Sequence, residues 1–436
     1  MINIVKPSIL PGFMELLPRE QIEFNRIRDI IKETYEMYGF IPVDTPLIEK
    51  SEVLLAKGGG ETEKQIYRFT KGDTDMSLRF DLTVPLARYV ALHANELNFP
   101  FRRYHIGKVY RGERNQRGRF REFYQCDIDI IGNGELSIIN DAEIPSIIYS
   151  IFKKLDFGPF TIRINNRKIL NGFFSEVTKS DKGAILRTID KLEKIGETKV
   201  KEELKYIGAS DSEISRILEF ISIKGSNDQV IDSLKRLNIG DEEFNKGLEE
   251  LSLVSHYIKD FNVPEENFKI DLTIARGLDY YTGTIYETTL NEFPEIGSVC
   301  SGGRYDNLAE YYTKAKLPGV GISIGLTRLF FQLTEAGFIK EGKSSTTSEV
   351  LIIPMGDVMD YSIEVSNKLR ENNISCEIYF EEGKAKKKFS YGDKLGLQYV
   401  IVIGDEEKEN RRVSIKNLKT GDQENLNIDQ VVSKLV

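Results

Sequence analysis

The first fifty residues pass from a helical to an extended pattern of apolar positions. Apolar residues from Ile27 to Tyr35 recur at helical spacing, which predicts an amphipathic helix over residues 20–38 that Gly39 ends. The next segment, FIPVDTPLIE (40–49), reads as short and extended. Its prolines favour a sheet edge or an interface over a central strand, because proline cannot donate a hydrogen bond to a neighbouring strand.

A hairpin and a second helix are predicted next. Residues 66–83 show apolar alternation on both sides of a Lys-Gly-Asp turn at 71–73, which is the pattern of two antiparallel strands. Thr83 is predicted to cap the helix that follows, with Pro85 in its first turn.

Two longer strands, predicted near 101–112 and 120–131, flank an arginine-rich loop. Side chains alternate along a strand. One face of the second strand therefore presents Tyr124, Cys126, Ile128 and Ile130, and the other presents Arg121, Phe123, Gln125, Asp127 and Asp129. The first face is predicted core. The second face either pairs its carboxylates with arginines on a solvated surface or meets water or a ligand.

The whole chain divides into a multidomain α+β and α/β arrangement. Hairpins with few crossover helices predict a largely antiparallel sheet flanked by helices over 1–175, completed by 256–339. Residues 176–255 have helical periodicity and many charges, so we expect a helical insertion there. A polar linker at 340–348 precedes alternating β and α patterns over 349–436, which predict a separate α/β domain.

Charge adds one contrast to this picture. The chain has 436 residues and a formal net charge of −8, yet between Arg102 and Phe123 eight Lys or Arg side chains stand against two Glu. The basic residues are Arg102, Arg103, Lys108, Arg111, Arg114, Arg117, Arg119 and Arg121. Guanidinium groups bind phosphate in a bidentate manner, so this patch suits a polyphosphate or a nucleic-acid backbone. A solvated charged surface is the alternative.

Other functional classes find little support. The three cysteines and three histidines are widely separated, which argues against a disulfide framework and against a metal site. No apolar run approaches the roughly 20 residues that span a bilayer, and the N-terminus lacks the pattern of a signal peptide. We therefore expect a cytoplasmic protein without a membrane partner.

Two further segments carry candidate chemistry. In ARGLDYYTGTIYE (275–287), Arg276 lies at the end of an alternating stretch, and Tyr280 and Tyr281 fit either a site or an ordinary strand. In GVGISIGLTRL (319–329), small residues precede a helix, which alone is weak evidence of a binding site.

Taken in order, these segments resemble the histidyl-tRNA synthetase family of class II aminoacyl-tRNA synthetases. GFIPVDTPLIE is similar to motif 1 of that class, YRGERNQRGRFREFYQCDIDIIG to motif 2 and GVGISIGLTRL to motif 3. ARGLDYYTG is similar to the peptide that marks the histidine-specific members, and LRFDLTVPLARY (78–89) and SGGRYDNL (301–308) match further family segments. The resemblance covers nearly the whole chain, including a helical insertion and a C-terminal anticodon-binding domain.

The resemblance implies a set of site residues. The histidine pocket would consist of Asp81, Thr83, Gln125, Asp129, Tyr280, Tyr281 and Tyr305, with Asp81 and Thr83 on the α-amino group and Tyr281 and Tyr305 along the imidazole. Arg111 and Arg276 would be catalytic residues at the α-phosphate of ATP, Glu113 an adenine contact, and Arg328 a neighbour of the adenine or terminal phosphate. Arg114 and Gln116 would meet the tRNA acceptor end. Bacterial members often have glutamate at the positions of Asp81 and Asp129, and aspartate is the form of the eukaryote-like branch.

The same resemblance implies an activity and its partners. The enzyme would activate L-histidine with ATP and Mg²⁺, transfer it to tRNA(His) without hydrolytic editing, and act as a homodimer. The lysines at 384 and 386–388 either approach the anticodon arm or form a solvated helix face. The alternatives are a histidine-sensing regulatory subunit of ATP phosphoribosyltransferase and a binding module derived from a synthetase domain, both without aminoacylation.

Overall fold

A computed structural model of the chain describes residues 5–56, 61–113, 118–189, 191–274, 280–339 and 344–435. The chain forms two compact units. The first comprises Met1–Met14 and Ile27–Ile339, and the second comprises Glu15–Arg26 and Lys340–Val436.

The elements up to residue 339 begin with a long helix and then alternate between strands and helices. The strands are β1 (Ile41–Pro42), β2 (Ile48–Lys50), β3 (Arg68–Lys71), β4 (Thr74–Leu78), β5 (Phe101–Tyr110), β6 (Glu122–Ile131), β7 (Phe160–Asn166), β8 (Phe268–Ile270), β9 (Thr284–Leu290), β10 (Ser298–Tyr305) and β11 (Gly319–Ile324). The helices are α1 (Pro18–Met37), α2 (Ser51–Leu54), α3 (Glu61–Gln65), α4 (Thr83–His93), α5 (Ile139–Leu155), α6 (Arg167–Val177), α7 (Lys182–Ile189), α8 (Leu192–Tyr206), α9 (Asp211–Ile221), α10 (Asn227–Arg236), α11 (Glu242–Asp260) and α12 (Leu326–Glu335). Short 3₁₀ helices lie at Glu265–Asn267, Pro294–Ile296 and Leu308–Tyr311.

The main sheet confirms the predicted antiparallel architecture. In the described part of the chain, its strand order is β1-β5-β6-β11-β10-β9-β7-β8. The interior pairs are antiparallel, and the parallel pairs β1–β5 and β7–β8 lie at the two ends. The proline-containing strand β1 is therefore an edge strand, as the sequence predicts. The predicted hairpin forms β3 and β4, joined through Gly72 at a φ of +59°, and pairs with β2 in a small separate sheet.

Apolar side chains bury one face of the main sheet against helices. Ile128 and Ile130 of β6 are fully buried on this face, and Ile144 and Ile148 of α5 are equally inaccessible to solvent. Helix α1 buries Ile27, Ile31 and Tyr35 of its predicted stripe, whereas Ile30 is half-buried. Covering one face in this way leaves the opposite face of the sheet available for a site.

Charged helices fill the region between β7 and β8. Helix α11 packs against α5 and α6, and Phe173 of α6 stacks on Phe220 of α9 with ring centroids 4.0 Å apart. Capping boxes begin α9 at Ser210 and α10 at Ser226, so local sequence sets where these helices start. The limits of the insertion and its contact with tRNA stay predictions.

The second unit confirms the predicted α/β pattern at the C-terminus. Its strands β12 (Val350–Met355), β13 (Cys376–Ile378), β14 (Tyr399–Gly404), β15 (Val413–Asn417) and β16 (Gln423–Leu426) form a sheet of order β13-β12-β14-β15-β16. The helices are α13 (Met359–Glu371), α14 (Ala385–Leu395), α15 (Asp405–Glu409) and α16 (Ile428–Leu435). Ile352 and Leu351 of β12 belong to separate buried clusters, so apolar side chains cover both faces of this sheet.

Two local predictions are wrong. Thr83 is the first residue of α4 and does not cap it; Asp81 instead accepts hydrogen bonds from the backbone N–H groups of Thr83 and Val84 at 3.2 and 2.9 Å. Lys388 does not belong to a solvated lysine face, because its Nζ is buried and donates to the carbonyl of Pro354 at 2.7 Å. Lys384, Lys386 and Lys387 are exposed.

Candidate active site

A cavity of about 490 Å³ opens on the face of the main sheet that the core helices leave uncovered. Its lining contains every described residue that is predicted to bind histidine or ATP: Asp81, Thr83, Arg111, Glu113, Gln125, Asp129, Tyr280, Tyr281, Tyr305 and Arg328. These residues come from five separate stretches of the sequence. Arg276, Arg114 and Gln116 lie outside the described residues, so their predicted roles stay predictions.

The floor of the cavity is a buried polar surface. Gln125, Asp127 and Asp129 project from β6, and each is at most 8% exposed. Cross-strand registers place His105 of β5 beside Asp127 and Arg103 beside Asp129. The interpretation of this face as a solvated surface is therefore wrong, because cavity walls and neighbouring strands remove it from bulk water.

Asp129 is held by two protein donors. Its Oδ2 lies 2.5 Å from Nη2 of Arg103, whose side chain is fully buried, and its Oδ1 accepts a hydrogen bond of 2.6 Å from the hydroxyl of Tyr305. Burial raises the pKa of Asp129 to about 6, while Arg103 and Tyr305 act to lower it. The carboxylate is thus fixed in position at the Tyr305 side of the cavity.

Gln125 and Asp127 keep unused acceptors. The amide Nε2 of Gln125 donates to Ser323 Oγ at 2.7 Å, whereas Gln125 Oε1 and Asp127 Oδ1 have no hydrogen-bond partner among the described residues. Burial raises the pKa of Asp127 to about 7 against the opposing effects of Arg103 and Ser323. Buried acceptors without donors are rare in folded proteins, so these two oxygens are suited to donors on a ligand.

Asp81 lies at the start of α4, where two backbone N–H groups fix its carboxylate. Burial raises the pKa of Asp81, and the hydrogen bonds from α4 together with the charge of Arg111 oppose that rise. The first N–H groups of a helix lack partners within the helix, and the Asp81 carboxylate is held in place because it accepts hydrogen bonds from two of them.

Arg111 extends from the end of β5 along the wall of the cavity. Its Nε donates to the carbonyl of Phe80 at 3.2 Å, and its guanidinium lies 4.3 Å from the ring centroid of Phe80 and 5.1 Å from that of Phe123. Burial lowers the pKa of Arg111, but guanidinium remains charged at any physiological pH. These contacts hold the Arg111 guanidinium against Phe80 and Phe123 in the wall of the cavity.

A second group of charges lies at the other end of the cavity. Arg119 donates to Glu113 at 3.2 Å, and Arg328 of α12 donates to the carbonyl of Ile296 at 2.8 Å. Burial lowers the pKa of Arg328, and repulsion from Arg119 lowers it further. These groups give this end of the cavity two guanidinium cations and one carboxylate.

Aromatic rings form the remaining wall around the carboxylates. Tyr280 packs edge-to-face on Tyr281 and on Tyr305, with ring centroids 4.9 and 5.8 Å apart. Burial raises the pKa of all three hydroxyls, so they stay protonated and can donate hydrogen bonds. Apolar ring faces combined with hydroxyl donors suit a flat polar ring as a ligand.

Glycines in β11 allow this packing. A Cβ on Gly319 would lie 2.5 Å from the ring of Tyr305, and a Cβ on Gly321 would lie 2.3 Å from Asp129 Oδ1. Contacts that short do not occur, so any side chain at either position would displace the tyrosine or the carboxylate. The segment GVGISIGLTRL, which in the sequence is weak evidence of a binding site, therefore has a specific structural role in the floor of the cavity.

Several described members of the basic patch predicted between residues 102 and 123 are paired with carboxylates, while Arg114 and Arg117 lie outside the described residues. Arg102 pairs with Glu143 at 2.9 Å, Lys108 with Glu122 at 2.8 Å, and Arg103 is buried beneath the cavity. Of these partners, Asp129 and Glu143 lie outside the counted stretch, which is why a local count of charges could not detect them. Within the described residues, Arg111 and Arg119 are the two basic residues of the patch that line the cavity.

Sequence reasoning missed the roles of Arg103 and Ser323. Arg103 was visible only as one of many arginines, and its burial depends on the pairing of β5 with β6. Ser323 pairs with Asp127 across β6 and β11, which places its hydroxyl beside Gln125. The only signal for either residue was its position at alternate spacing in a strand.

Within the described ranges, no group of three or more His, Cys, Asp or Glu side chains is arranged to hold a metal ion. No described helix is long and apolar enough to cross a bilayer.

Comparison with known proteins gives two matching family models. The model described as histidyl-tRNA synthetase matches residues 12–329, and the one described as anticodon binding domain matches residues 349–436. A curated histidine–tRNA ligase from Clostridium tetani is 67% identical over 430 residues, which are 99% of this chain and 98% of that protein.

Solved structures give the same likeness. The crystal structure of histidyl-tRNA synthetase from a Nostoc species matches with a TM-score of 0.92 at 42% identity, covering 100% of this chain and 99% of that chain. A structure from Bacillus halodurans, described as an ATP phosphoribosyltransferase regulatory subunit/histidyl-tRNA synthetase, matches with a TM-score of 0.76 at 21% identity, covering 92% and 99%. At that identity the second likeness concerns the fold alone.

Proposed function

Since this chain belongs to the histidyl-tRNA synthetase family, its reaction is the ligation of histidine to tRNA, and we propose that the cavity above the main sheet is where histidine and ATP react. The observation that carries this proposal is that one cavity is lined by ten predicted substrate residues from separate parts of the sequence. The reading as a regulatory subunit is not favoured, because the relative with 67% identity over the full chain is a ligase.

L-histidine would bind at the end of the cavity that carries the buried carboxylates. Asp81 and Thr83 are assigned to its ammonium group, with Gln125 as a further acceptor beside them. Asp129 is assigned a place beside Gln125, Tyr281 and Tyr305 are assigned to the imidazole, and Tyr280 is a neighbour of that pocket. A site that pairs with both ring nitrogens discriminates strongly against apolar amino acids, because its own polar groups would be left unpaired.

ATP would bind toward the end that carries Arg111, Glu113 and Arg328. Arg111 and Arg276 are assigned to the α-phosphate, Glu113 to the adenine, and Arg328 to the adenine or the terminal phosphate. Mg²⁺ would enter as part of the ATP substrate, since magnesium is commonly held by phosphate oxygens, water and one or two carboxylates.

The reaction then follows from these positions. A carboxylate oxygen of histidine forms a bond to the α-phosphorus, and the bond from that phosphorus to the bridging oxygen breaks, releasing pyrophosphate. Negative charge grows on the non-bridging oxygens during this step. Arg111, whose orientation is fixed by Phe80, and Arg276 would stabilise that charge without reorganising. In the second step, a ribose hydroxyl at the 3′ end of tRNA(His) would attack the carbonyl carbon of the adenylate, which forms the ester and releases AMP.

Partners outside the cavity follow from other surfaces. Arg114 and Gln116 are assigned to the acceptor end of tRNA, and the second unit to the anticodon arm. A homodimer is supported by the edge strand β1, where Ile41 is 52% exposed, and by Leu47 and Ile48 nearby, which are 42% and 47% exposed. Light scattering at micromolar concentration tests this state, and a monomer mass would refute it. We place the reaction in the cytoplasm.

The deciding experiment is histidine-dependent exchange of labelled pyrophosphate into ATP, measured beside an amino-acid panel and the Arg276→Ala variant. We expect exchange with histidine alone, and its collapse in the variant. The absence of exchange from a folded protein that still binds histidine would refute adenylate formation. Charging of tRNA(His) by the same preparation then tests the second step.

A further inference from the structure

Asp127 is a cavity residue for which the proposed function has no role. It lines the cavity, it is 2% exposed, and its Oδ1 has no hydrogen-bond partner among the described residues. A buried carboxylate oxygen without a donor is costly unless a ligand supplies one.

Asp129, two residues along the same strand, differs in this respect. Arg103 occupies one of its oxygens and the hydroxyl of Tyr305 occupies the other. Asp129 is therefore largely committed to the protein before histidine arrives. A ring N–H that reaches the floor meets a less occupied acceptor at Asp127 Oδ1.

The surroundings of Asp127 fix which part of histidine it would meet. His105 faces it from β5 and Ser323 from β11, while Gln125 and Asp129 flank it on β6. After burial, the charge of Arg103 lowers the pKa of Asp127, and the charges of Asp129 and Asp81 raise it. Tyr281 lies near Asp127. Burial is the largest cause of the raised pKa of the Tyr281 hydroxyl, and the charges of Asp129 and Asp127 are the next largest. Tyr281 is assigned to the imidazole, so Asp127 lies on the ring side of the pocket.

We infer that Asp127 is a specificity-determining residue whose Oδ1 accepts a hydrogen bond from an imidazole N–H of bound L-histidine. The inference rests on the proposed function, because it assumes that the amino acid binds with its ring against this floor. Asp127 and Tyr281 then hold the ring from two directions, and Asp129 with Tyr305 forms a fixed wall behind it. Burial raises the pKa of Asp127 to about 7, consistent with a carboxyl that lacks a donor until the ligand binds.

The test compares Asp127→Asn with Asp44→Asn in the pyrophosphate exchange assay. Asp44 is a matched control, because its carboxylate lies 2.9 Å from His105 Nε2 and is 86% exposed outside the cavity. The substrates are L-histidine and β-(4-thiazolyl)alanine, in which sulfur replaces a ring N–H. Imidazole propionate, which lacks the ammonium group, serves as a competitive inhibitor.

We expect Asp127→Asn to lower kcat/KM for histidine by roughly 10- to 100-fold, the range of a hydrogen bond to a charged group. The preference for histidine over the thiazole analogue should fall by a similar factor, and inhibition by imidazole propionate should weaken in parallel. Asp44→Asn should leave all three quantities unchanged.

Two results would overturn the inference. One is an unchanged histidine-to-thiazole preference in Asp127→Asn; the other is a loss of histidine binding with unchanged inhibition by imidazole propionate, which would assign Asp127 to the ammonium group. Exchange by the wild-type protein separates these outcomes from failure of the proposed function. Asp127→Ser provides a second variant if the asparagine variant does not fold, as judged by circular dichroism.

Discussion

Two buried arginine–aspartate pairs lie on opposite faces of the main sheet. On the helix-covered face, Arg304 Nε lies 3.1 and 3.0 Å from the two oxygens of Asp141, and its Nη2 donates to Asp141, Leu136 and Ser137. On the cavity face, Arg103 makes a contact of 2.5 Å to Asp129 and one bond to the carbonyl of Leu82. Its Nε and Nη1 have no partner among the described residues.

The difference between these pairs distinguishes a buried ion pair that stabilises the fold from one that lies in a binding site. A saturated pair has no capacity left for a ligand, and its role is to join α5 to the sheet. Burial raises the pKa of Asp141 as it does those of the cavity carboxyls, so the two pairs differ in bonding: the cavity pair keeps unpartnered N–H groups, which is the condition expected of groups that meet a ligand. Buried charge alone therefore does not indicate a site, whereas unmet bonding capacity does.

The largest expected effect comes from breaking the saturated pair. Arg304→Met leaves the fully buried Asp141 without its cation, and we expect a loss of about 3–5 kcal/mol in the free energy of unfolding. Urea denaturation followed by circular dichroism measures it. Adding Asp141→Leu should restore part of the loss, because two apolar side chains remove the uncompensated charge. A loss below about 1 kcal/mol for Arg304→Met would contradict the structural assignment.

Arg111→Ala should lower activity and leave stability nearly unchanged, which is the opposite of the result expected for Arg304→Met. Removing a preorganised cation at the reacting phosphate commonly costs about 3 kcal/mol, so we expect at least a roughly hundredfold fall in kcat/KM for pyrophosphate exchange. Its urea midpoint should change little. If stability fell with little change in exchange, Arg111 would belong with Arg304 as a structural residue.

A smaller effect should appear in the pH dependence of stability. The folded protein raises the pKa of Asp127 from 3.8 to about 7, so between these values the folded state binds more protons than the unfolded state. Stability associated with this group is then greatest below about pH 4 and is lost as the pH rises toward 7. Asp127→Asn should become more stable than the wild type over that window, by on the order of 2 kcal/mol at pH 5.5. A gap that does not widen with pH would refute the assignment.

The smallest effect concerns lysines in α14 of the second unit. Lys388→Met should reduce the stability of that unit by about 1 kcal/mol, the usual value of a buried hydrogen bond. Lys387→Ala, at an exposed neighbour, should leave stability unchanged and raise the KM for tRNA(His). Thermal melting and aminoacylation kinetics on both variants distinguish the two kinds of lysine. A change in KM without a change in stability for Lys388→Met would reverse the assignment.

Regular elements were predictable because their signals are local. Alternation assigned Ile128 and Asp127 to opposite faces of one strand, and the turn residues at 71–73 identified the hairpin. Alternation also placed Gln125 and Asp129 on one polar face. That all ten cavity residues form one site was predictable only through resemblance to a family, since separation along the chain hides their proximity. Their assigned contacts with substrates stay predictions.

The predictions that failed for Arg103 and Lys388 depended on partners distant in sequence. Arg103 was counted with a basic patch because Asp129 lies 26 positions later, and only the pairing of β5 with β6 brings them together. Lys388 lies in the same lysine-rich segment as the exposed Lys386 and Lys387. Only its hydrogen bond to the carbonyl of Pro354 in β12 distinguishes it from them. Thr83 was favoured as a cap by residue type, whereas backbone geometry assigned that role to Asp81.

The bare backbone of Gly319 and Gly321 has a consequence for resistance to inhibitors. Every amino-acid replacement that one nucleotide change can make in a glycine codon introduces a side chain, and here that side chain would collide with Tyr305 or Asp129. An inhibitor that rests on this part of the floor would contact positions where escape mutations also damage the pocket. Positions at the rim of the cavity, such as Arg119, would be the easier route for resistance.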